Sequence, residues 1–383
     1  MNKFIYLDNA ATSFPKPQIV IDDMMNYMMN CGGNASRGSS SIALAGNRAI
    51  YDCRETIANF FNFDKVENVI FTNNITTSLN IILHSLVKEN WHVITTTMDH
   101  NSVLRPLEKL KNTLNIEVDY AKADNEGFIS PSTIESLIKS NTKLVIMSHA
   151  SNLTGSIQDI TSIGAICKKH GIFFVVDTAQ TAGIIPIDMK ASNINVLAFT
   201  GHKSLFGPQG IGGFIIDDKI NEVMDIVFAG GTGSSSFSLE HPRELPDKFE
   251  CGTLNTPGII GLNSGINFIK KEGLEKIRAK EEKLCAYALT ELSKIDNIII
   301  YGSMDASKRT STILFNIKDI DSSELGFYLD FEKGIVTRTG IHCAPLGHQT
   351  LVHDQHGGVR ISPGYFNTKE DIDLLIDSLK KYN

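Results

Sequence analysis

Lys203 is the residue whose position in this sequence most clearly suggests covalent chemistry. It follows an apolar run at residues 196–199 and the polar residues Thr200, Gly201 and His202, and a glycine-rich loop comes next. Desolvation at the end of a buried strand lowers the pKa of a lysine amine, and the neutral amine can form an imine with a carbonyl compound. A lone loop lysine is more often a solvated surface group. The interpretation of Lys203 as a Schiff-base residue therefore depends on its neighbours.

Two further polar clusters follow apolar runs earlier in the chain. Thr76 and Thr77 lie where the run at 69–72 gives way to a helical pattern. Hydroxyl groups and the free N–H groups of a helix start can bind phosphate, although an ordinary N-cap explains such residues equally well. His100 follows the run at 92–96. It either caps the next helix or stacks on a flat cofactor and moves protons.

An acid and two amides follow the next two apolar runs. Asp177 ends the run at 173–177, Gln180 comes three residues later, and Asn152 follows the run at 144–148. A carboxyl group at the end of a buried strand needs a cationic or proton-sharing partner, unless it is simply a helix N-cap. If the ligand is pyridoxal phosphate (PLP), Asp177 keeps the pyridine nitrogen protonated. Gln180 and Asn152 then reach the ring hydroxyl.

Cys343 is a candidate nucleophile near the C-terminus. Gly340 and Pro345 flank it, which predicts a loop rather than the buried, inert environment usual for cysteine. Exposure beside Arg338 and His342 would favour the thiolate, which is the reactive form.

Arginines and histidines complete the set of candidates. Arg360 ends a strand-like segment, and its planar guanidinium can pair with the carboxylate of an amino-acid substrate. Arg37 is either a solvated charge or an anion contact. The histidines near Cys343 fit no familiar zinc spacing, so no metal site is predicted. These histidines are His342, His348, His353 and His356.

The elements that position these residues follow a regular alternation. Near-continuous apolar strands separated by amphipathic helices are typical of a mostly parallel α/β sheet covered on both faces. Ligands bind such sheets at the carboxyl ends of the strands, where the polar clusters lie. The strand-like runs span residues 69–72, 92–96, 116–121, 144–148, 173–177, 196–200 and 211–216.

The C-terminal third has a different pattern, with long helices at about 258–272 and 274–294 and a final helix at about 368–381. We predict a large domain at residues 15–256 and a smaller α/β domain formed by residues 1–14 and 257–383. An early helix carries four methionines that we expect to fill core space. These are Met24, Met25, Met28 and Met29.

Composition and charge narrow the classes of partner. The 383 residues are 42% hydrophobic and 21% charged, with a net charge of -7 and no basic run. Nucleic acid and anionic membranes are therefore not expected as partners. The N-terminus has no long apolar stretch and the 6 cysteines have no C-x-x-C spacing. We predict a cytoplasmic protein with reduced thiols.

Taken together, these motifs resemble the class V aminotransferase family, and within it the cysteine desulfurases of the Suf-like second group. The resemblance covers essentially the whole chain. In chain order the matching segments are Asp8-Asn-Ala-Ala-Thr12, Thr76-Thr77, His100, Ser151-Asn152, Asp177-x-x-Gln180, Thr200-Gly-His-Lys203 and Arg338-Thr-Gly-Ile-His-Cys343.

The resemblance implies the type I fold of PLP-dependent transferases, with PLP bonded to Lys203. His100 stacks on the cofactor ring, and Asp177, Asn152 and Gln180 contact it. Thr253 of the neighbouring subunit completes the phosphate site, which implies a homodimer with shared active sites. The other residues implied for the cofactor phosphate are Thr76, Thr77, Thr200 and His202.

The implied activity is conversion of L-cysteine to L-alanine. Arg360 binds the substrate carboxylate, with Arg338, Arg37 and Asn152 as further substrate contacts. Lys203 removes the alpha proton, Cys343 takes up the substrate sulfur as a persulfide, and His100 is a candidate acid. Transfer of the sulfur to an acceptor protein follows, as in iron–sulfur cluster assembly.

Two alternatives stay open. A selenocysteine lyase or another PLP-dependent beta-elimination would use the same scaffold, because selenide leaves without an attacking thiolate. A non-catalytic, sulfur-carrier-binding protein would keep only the fold, and the presence of Lys203, Asp177 and Arg360 argues against it.

Overall fold

The computed structural model describes residues 4–35, 40–352 and 357–382. Three residues named above, Arg37, His353 and His356, lie outside the described residues.

Strands and helices alternate through the first two thirds of the chain. The strands are β1 (Ile5–Tyr6), β2 (Val69–Thr72), β3 (His92–Thr96), β4 (Glu117–Ala121), β5 (Thr142–Ser148), β6 (Phe173–Asp177), β7 (Val196–Thr200), β8 (Gly212–Ile216), β9 (Ile298–Tyr301), β10 (Ile313–Ile317), β11 (Ile335–Val336), β12 (Arg338–Gly340) and β13 (Gly358–Ile361). The α-helices are α1 (Gln18–Asn30), α2 (Ser41–Phe60), α3 (Ile75–Leu86), α4 (Asn101–Leu114), α5 (Pro131–Ser136), α6 (Ile160–His170), α7 (Asp218–Val223), α8 (Thr256–Glu272), α9 (Leu274–Leu292), α10 (Ser322–Phe327), α11 (Pro345–Leu351) and α12 (Lys369–Tyr382). Within the described ranges, no helix combines the length and apolar character needed to cross a membrane.

The larger sheet has seven strands in the order β2, β8, β7, β6, β5, β3, β4. β8 runs antiparallel to β2 and β7, and the other neighbouring pairs are parallel. The predicted mostly parallel, seven-stranded α/β sheet is confirmed, with strands close to the expected bounds.

Alternate side chains of these strands enter hydrophobic cores on opposite faces of the sheet. In β5, Val145 and Met147 pack in one core, whereas Leu144 and Ile146 pack in the other. Side chains of a strand point alternately to the two faces. Because both faces are covered, the strands have the continuous apolar sequences from which they were predicted.

The C-terminal part contains an antiparallel sheet in the order β12, β13, β10, β9. β1 pairs in parallel with β11, and Leu7 joins the core formed with α9 and α12. The predicted domain boundary at 256/257 assigns α8 to this part, but Ile259 and Leu262 of α8 pack in a core of the large sheet. The division into two domains stays a prediction, and its boundary does not follow the packing of α8.

The expectation that the methionines of α1 fill core space is wrong for three of them. Met25, Met28 and Met29 are 51%, 54% and 77% exposed. α1 buries Val20 and Tyr27 on the face that packs against α8, so the opposite face of the helix carries the methionines outward.

The carboxyl ends of the parallel strands place the polar clusters at one edge of the sheet. β2 leads to the start of α3, β3 to His100, β5 to Asn152, β6 from Asp177 to Gln180, and β7 to Lys203. Parallel strands end on the same side, so residues far apart in sequence meet there.

Candidate active site

A cavity of about 600 Å³ lies at this edge, within the size range of ligand sites in proteins. Most of the residues predicted for a cofactor line it. They are Thr76, Thr77, His100, Asn152, Asp177, Gln180, Thr200, His202 and Lys203.

One end of the cavity is the N-terminus of α3. Asn74 caps this helix, and its side-chain oxygen accepts a hydrogen bond of 2.9 Å from the Thr77 N–H. Thr200 Oγ1 and His202 Nδ1 are buried nearby on the wall of the same cavity, and neither has a hydrogen-bond partner. Buried polar atoms without partners are costly. A polar ligand at a helix N-terminus, such as a phosphate, would satisfy them.

Lys203 has the lowered basicity expected of an imine-forming lysine. Burial lowers its pKa from 10.5 to about 8. The negative charge of Asp177 opposes this shift, whereas the positive charges of Arg360 and Arg338 add to it. A useful fraction of the amine is therefore neutral, and nucleophilic, near neutral pH.

Asp177 is a buried acid whose pKa is raised from 3.8 to about 6, chiefly by burial. The Ala179 N–H donates to its Oδ1 at 2.8 Å and Lys203 lies close enough to lower the pKa, while Asp99 raises it. The sequence offered an N-cap or a cofactor partner for Asp177. Its position on the cavity wall fits a cationic or proton-donating group of a ligand.

His100 combines the two roles that the sequence left open. Its Nδ1 accepts a hydrogen bond of 3.0 Å from the Ser102 N–H and caps α4, while the residue lines the cavity. Burial lowers the pKa of His100 to about 4, with further lowering by Lys203 and Arg338. The ring is therefore neutral at pH 7. Because Nδ1 accepts a hydrogen bond, the ring proton lies on Nε2.

The two predicted amides bind backbone carbonyls of other segments. Gln180 Nε2 donates to the Ala10 oxygen at 3.2 Å, and Asn152 Nδ2 donates to the His342 oxygen at 2.7 Å. Asn152 Oδ1 is buried and has no partner, which leaves it available to a ligand.

Arg360 is almost fully buried on β13 beside Asn152. Its Nη2 lies 2.6 Å from Asp8 Oδ1, its Nη1 donates to the Asn152 carbonyl oxygen at 2.9 Å, and its Nε is buried without a partner. The guanidinium is thus held in place while its Nε–H is without a partner and could donate to a substrate carboxylate. Sequence reasoning missed the role of Asp8, although Asp8 lies within a motif that it had noted.

Cys343 is exposed at the tip of a tight turn after β12. Arg338 Nη2 approaches its Sγ at 3.9 Å. From the sequence, His342 is expected to lie beside the Cys343 thiol and favour the thiolate, but the His342 ring does not contact this thiol. The ring is buried between the Arg338 carbonyl oxygen, 3.1 Å from Nε2, and His348 Nε2, 3.4 Å from Nδ1. His342 is buried, whereas Cys343, which has the same left-handed backbone conformation, is exposed.

Ser13 and Lys16, which the sequence analysis did not assign to the site, form hydrogen bonds with the backbone at His202 and Lys203. The His202 carbonyl oxygen accepts hydrogen bonds from the Ser13 N–H at 3.0 Å and from Lys16 Nζ at 2.6 Å. Ser13 Oγ donates to the Lys203 carbonyl oxygen at 2.8 Å. Burial lowers the pKa of Lys16 to about 8.

Comparison with known proteins identifies the family. The chain matches the family Aminotransferase class-V over residues 5–375. The chain belongs to this family. It is 36% identical to a protein named probable cysteine desulfurase from Borreliella burgdorferi, over 99% of this chain and 92% of that one. It is 33% identical to a protein of the same name from Methanothermobacter thermautotrophicus, over 98% of this chain and 94% of that one. The apo structure of a cysteine desulfurase from Thermococcus onnurineus NA1 superposes with a TM-score of 0.93 at 31% identity, covering 100% of this chain and 95% of that one.

Class-V aminotransferases depend on PLP, and the cavity of this member fits that cofactor. Lys203 supplies a reactive amine and Asp177 a buried acid for the pyridine nitrogen. Thr200 Oγ1, His202 Nδ1 and Asn152 Oδ1 are buried polar atoms that need a polar ligand.

Thr253 of this class-V aminotransferase does not line the cavity of its own chain. It is exposed, and its Oγ1 accepts a hydrogen bond of 3.3 Å from Asn34 Nδ2. Nearby, Glu250 forms a buried ion pair with Arg54 and accepts from the Phe71 N–H at 2.6 Å, which fixes the preceding segment to β2. Among the described residues, no group of three or more His, Cys, Asp or Glu side chains could hold a metal ion.

Proposed function

We propose that this chain is a PLP-dependent cysteine desulfurase that converts L-cysteine to L-alanine and takes up the sulfur on Cys343. The observation that supports this most directly is the position of the exposed Cys343. The backbone of its turn accepts hydrogen bonds from Asn101 and from Asn152, and Asn152 lines the cavity that contains Lys203. When bound, PLP supplies an electron sink for the alpha carbon of the substrate. Asp177 would hold its pyridine nitrogen, and Lys203 would bind it covalently.

The residues around the cofactor would then prepare the substrate. Arg360 would bind the substrate carboxylate through its free Nε, since Asp8 and the Asn152 carbonyl already hold its other nitrogens. The neutral amine of Lys203 is suited to remove the alpha proton because its pKa is about 8.

Sulfur transfer would use the thiolate of Cys343. The thiolate attacks the substrate sulfur, a sulfur–sulfur bond forms, and the carbon–sulfur bond breaks with its electron pair remaining on the substrate carbon. Protonation of that carbon and return of a proton to the alpha carbon yield alanine, and Cys343 is left as a persulfide. His100 would contribute as a neutral donor from Nε2, because its pKa of about 4 leaves almost no imidazolium at pH 7. Delivery of the sulfur to an acceptor protein completes the cycle.

The active enzyme would be a homodimer with shared sites. Thr253 contacts Asn34 on the surface instead of its own cavity, as expected for a residue that serves the neighbouring subunit. An apolar patch on α1 and α2 would be buried by a second copy. The patch includes Ile19, Ile21, Met25, Met28, Met29, Ile42, Leu44 and Tyr51, each more than 40% exposed.

A cytoplasmic location is part of the same proposal. All six cysteines are unpaired, which suits a reducing compartment.

Replacement of the nucleophile tests the function. Cys343→Ser should retain the visible absorption of bound PLP but lose cysteine turnover by at least about 100-fold, because serine cannot accept the sulfur. Alanine and sulfide should be quantified after addition of L-cysteine and a reductant. Cys31→Ser, which changes a partly exposed cysteine at the end of α1, is the matched control. Full cysteine turnover in Cys343→Ser would contradict the proposal.

The same variant addresses the selenocysteine alternative. Two relatives that share at least 30% identity with the chain are named probable cysteine desulfurase. These names do not favour a selenocysteine lyase. If Cys343→Ser loses cysteine turnover but retains selenocysteine turnover, the attack by Cys343 is specific to sulfur. If the wild-type protein acts on selenocysteine alone, the alternative replaces the proposal.

A further inference from the structure

The turn that presents Cys343 has an unfavourable backbone conformation. His342 and Cys343 have φ values of 54° and 58°, in the left-handed region that residues with a Cβ atom rarely adopt. The Ala344 N–H closes the turn by donating to the Ile341 carbonyl oxygen at 3.1 Å. Two consecutive left-handed residues, neither of them glycine or asparagine, require contacts from outside the turn to hold them.

In addition to the contacts of the His342 ring, each left-handed residue has a hydrogen bond to its backbone carbonyl oxygen. The Asn101 N–H donates to the Cys343 carbonyl oxygen at 2.8 Å, and Asn152 Nδ2 donates to the His342 carbonyl oxygen at 2.7 Å. The first comes from the start of α4, next to His100. The second is a side-chain contact and can therefore be removed by substitution.

Asn152 also connects the turn to the predicted carboxylate anchor. Its own carbonyl oxygen accepts from Arg360 Nη1 at 2.9 Å, its Oδ1 is buried without a partner, and the residue lines the cavity. A chain of two hydrogen bonds thus runs from Arg360 through Asn152 to His342, the residue before the nucleophile.

We propose that Asn152 is a positioning residue for Cys343, and that the bond from its Nδ2 to the His342 carbonyl oxygen keeps the turn in its left-handed form against the cavity. This inference rests on the proposed function, in which Cys343 takes up the sulfur. It adds to the cofactor and substrate contacts predicted for Asn152, because its Oδ1 has no partner and is available for them. Loss of the bond lets the turn relax, and a displacement of the sulfur by about 1 Å is enough to slow an attack strongly.

Two substrates separate this role from cofactor or substrate binding. L-cysteine requires attack by Cys343, whereas β-chloroalanine loses chloride with its bonding electrons once the alpha proton is removed and needs no thiolate. In Asn152→Asp, a carboxylate oxygen replaces the donor and faces the His342 carbonyl oxygen. The ratio of cysteine turnover to β-chloroalanine turnover should fall by about tenfold or more, with Asn152→Ala in the same direction.

Gln180→Glu is the matched control. Gln180 also places a carboxamide on the cavity wall, but it donates to the Ala10 carbonyl oxygen and not to the turn. Its substitution should lower both activities by similar factors and leave their ratio near the wild-type value. An unchanged ratio in both Asn152 variants would overturn the inference.

Hydrogen exchange provides a readout that does not need cofactor or turnover. In the cofactor-free protein, Asn152→Asp should speed exchange at the Ala344 amide, which closes the turn, relative to wild type and Gln180→Glu. Equal exchange would also overturn the inference. Cys343→Ser distinguishes the two failures. If that variant keeps cysteine turnover, the proposed function fails, and if it loses turnover while the Asn152 variants keep the wild-type ratio, only the positioning role fails.

Discussion

Burial shifts the pKa values of the site residues in the direction that favours the uncharged form of each side chain. It lowers the pKa of Lys203 to about 8, raises that of Asp177 to about 6, and lowers those of His100 and His202 to about 4. Desolvation is the largest cause for each of these groups, and it disfavours whichever form carries charge. Of these four residues, His202 has a buried ring nitrogen, Nδ1, without a hydrogen-bond partner, which a polar group of a cofactor would supply.

The pKa of Lys203 predicts how PLP binding depends on pH. Covalent capture of PLP by the cofactor-free protein requires the neutral amine, so its rate should rise with pH through a midpoint of about 8 instead of 10.5. Stopped-flow absorbance over pH 6 to 10 measures this, and Lys203→Ala should show no covalent capture.

The neighbours of Lys203 make the prediction sharper. Arg338 lowers the pKa of Lys203 and Asp177 raises it. Arg338→Met should therefore move the midpoint upward, and Asp177→Asn should move it downward. If the pH midpoints of wild type and both variants are the same, or if the wild-type rate is still rising at pH 10, these charges do not control the pKa of the Lys203 amine.

At the scale of elements, residues 8–16 form an N-terminal segment that contacts three parts of the site. Asp8 pairs with Arg360, and the Ala10 carbonyl oxygen accepts a hydrogen bond from Gln180. Lys16 donates to the carbonyl oxygen of His202, and Ser13 donates to that of Lys203. β1 fixes the start of this segment by pairing with β11. The segment therefore links the smaller sheet to the lysine of the larger one.

Replacing Lys16 tests this link. A hydrogen bond from a charged donor contributes about 1.5–3 kcal/mol, so Lys16→Met should lower kcat/KM for cysteine by about tenfold or more through a misplaced Lys203. Steady-state kinetics and the PLP spectrum measure the effect, and Lys16→Arg should restore part of the loss.

The control for Lys16 is Lys219→Met, which removes an exposed lysine on α7. It should leave kcat/KM and the spectrum unchanged. Wild-type kinetics in Lys16→Met would mean that the other donors to the His202 carbonyl oxygen suffice.

At the scale of the whole molecule, the site lies between the seven-stranded sheet and the smaller, four-stranded sheet. The larger sheet supplies Lys203, Asp177 and Asn152, and the smaller sheet supplies Arg360 and the turn of Cys343. Asp8 and Arg360, which form one ion pair, are 352 residues apart in the chain. Movement of one sheet relative to the other would separate Arg360 from Lys203.

A shared dimeric site predicts complementation between two defective subunits. In a mixed dimer, Lys203→Ala in one subunit and Thr253→Ala in its partner would both damage the same shared site, the first by removing the lysine and the second by removing the proposed phosphate contact. The other site has both residues intact, so coexpression of the two variants should restore about a quarter of wild-type activity per subunit at limiting PLP. Activity of the separate variants gives the baseline. If the protein sediments as a monomer, or coexpression gives only the average of the two baselines, the sites are not shared.

The sequence by itself determined the large sheet and the approximate location of the cofactor residues. Strands such as β5 and β7 are buried on both faces and so have continuous apolar sequences. Because parallel strands end at the same edge, the polar residues after each run had to meet there. Lys203, Asp177 and His100 were predicted in this way, and the structure places all three on the wall of one cavity. The order of the motifs indicated the family, which the family match confirms.

Only the tertiary structure decided the contacts made across the chain. The pairing of Asp8 with Arg360, the inward orientation of His342 and the bond from Asn152 to the turn of Cys343 join segments that are distant in sequence. The outward face of α1, with its exposed methionines, depends on which side packs against α8. Local sequence patterns reflect burial and backbone preference. They do not specify how the four-stranded sheet packs against the seven-stranded one, and that packing places Arg360 and the turn of Cys343 against Asn152, on the wall of the cavity that contains Lys203.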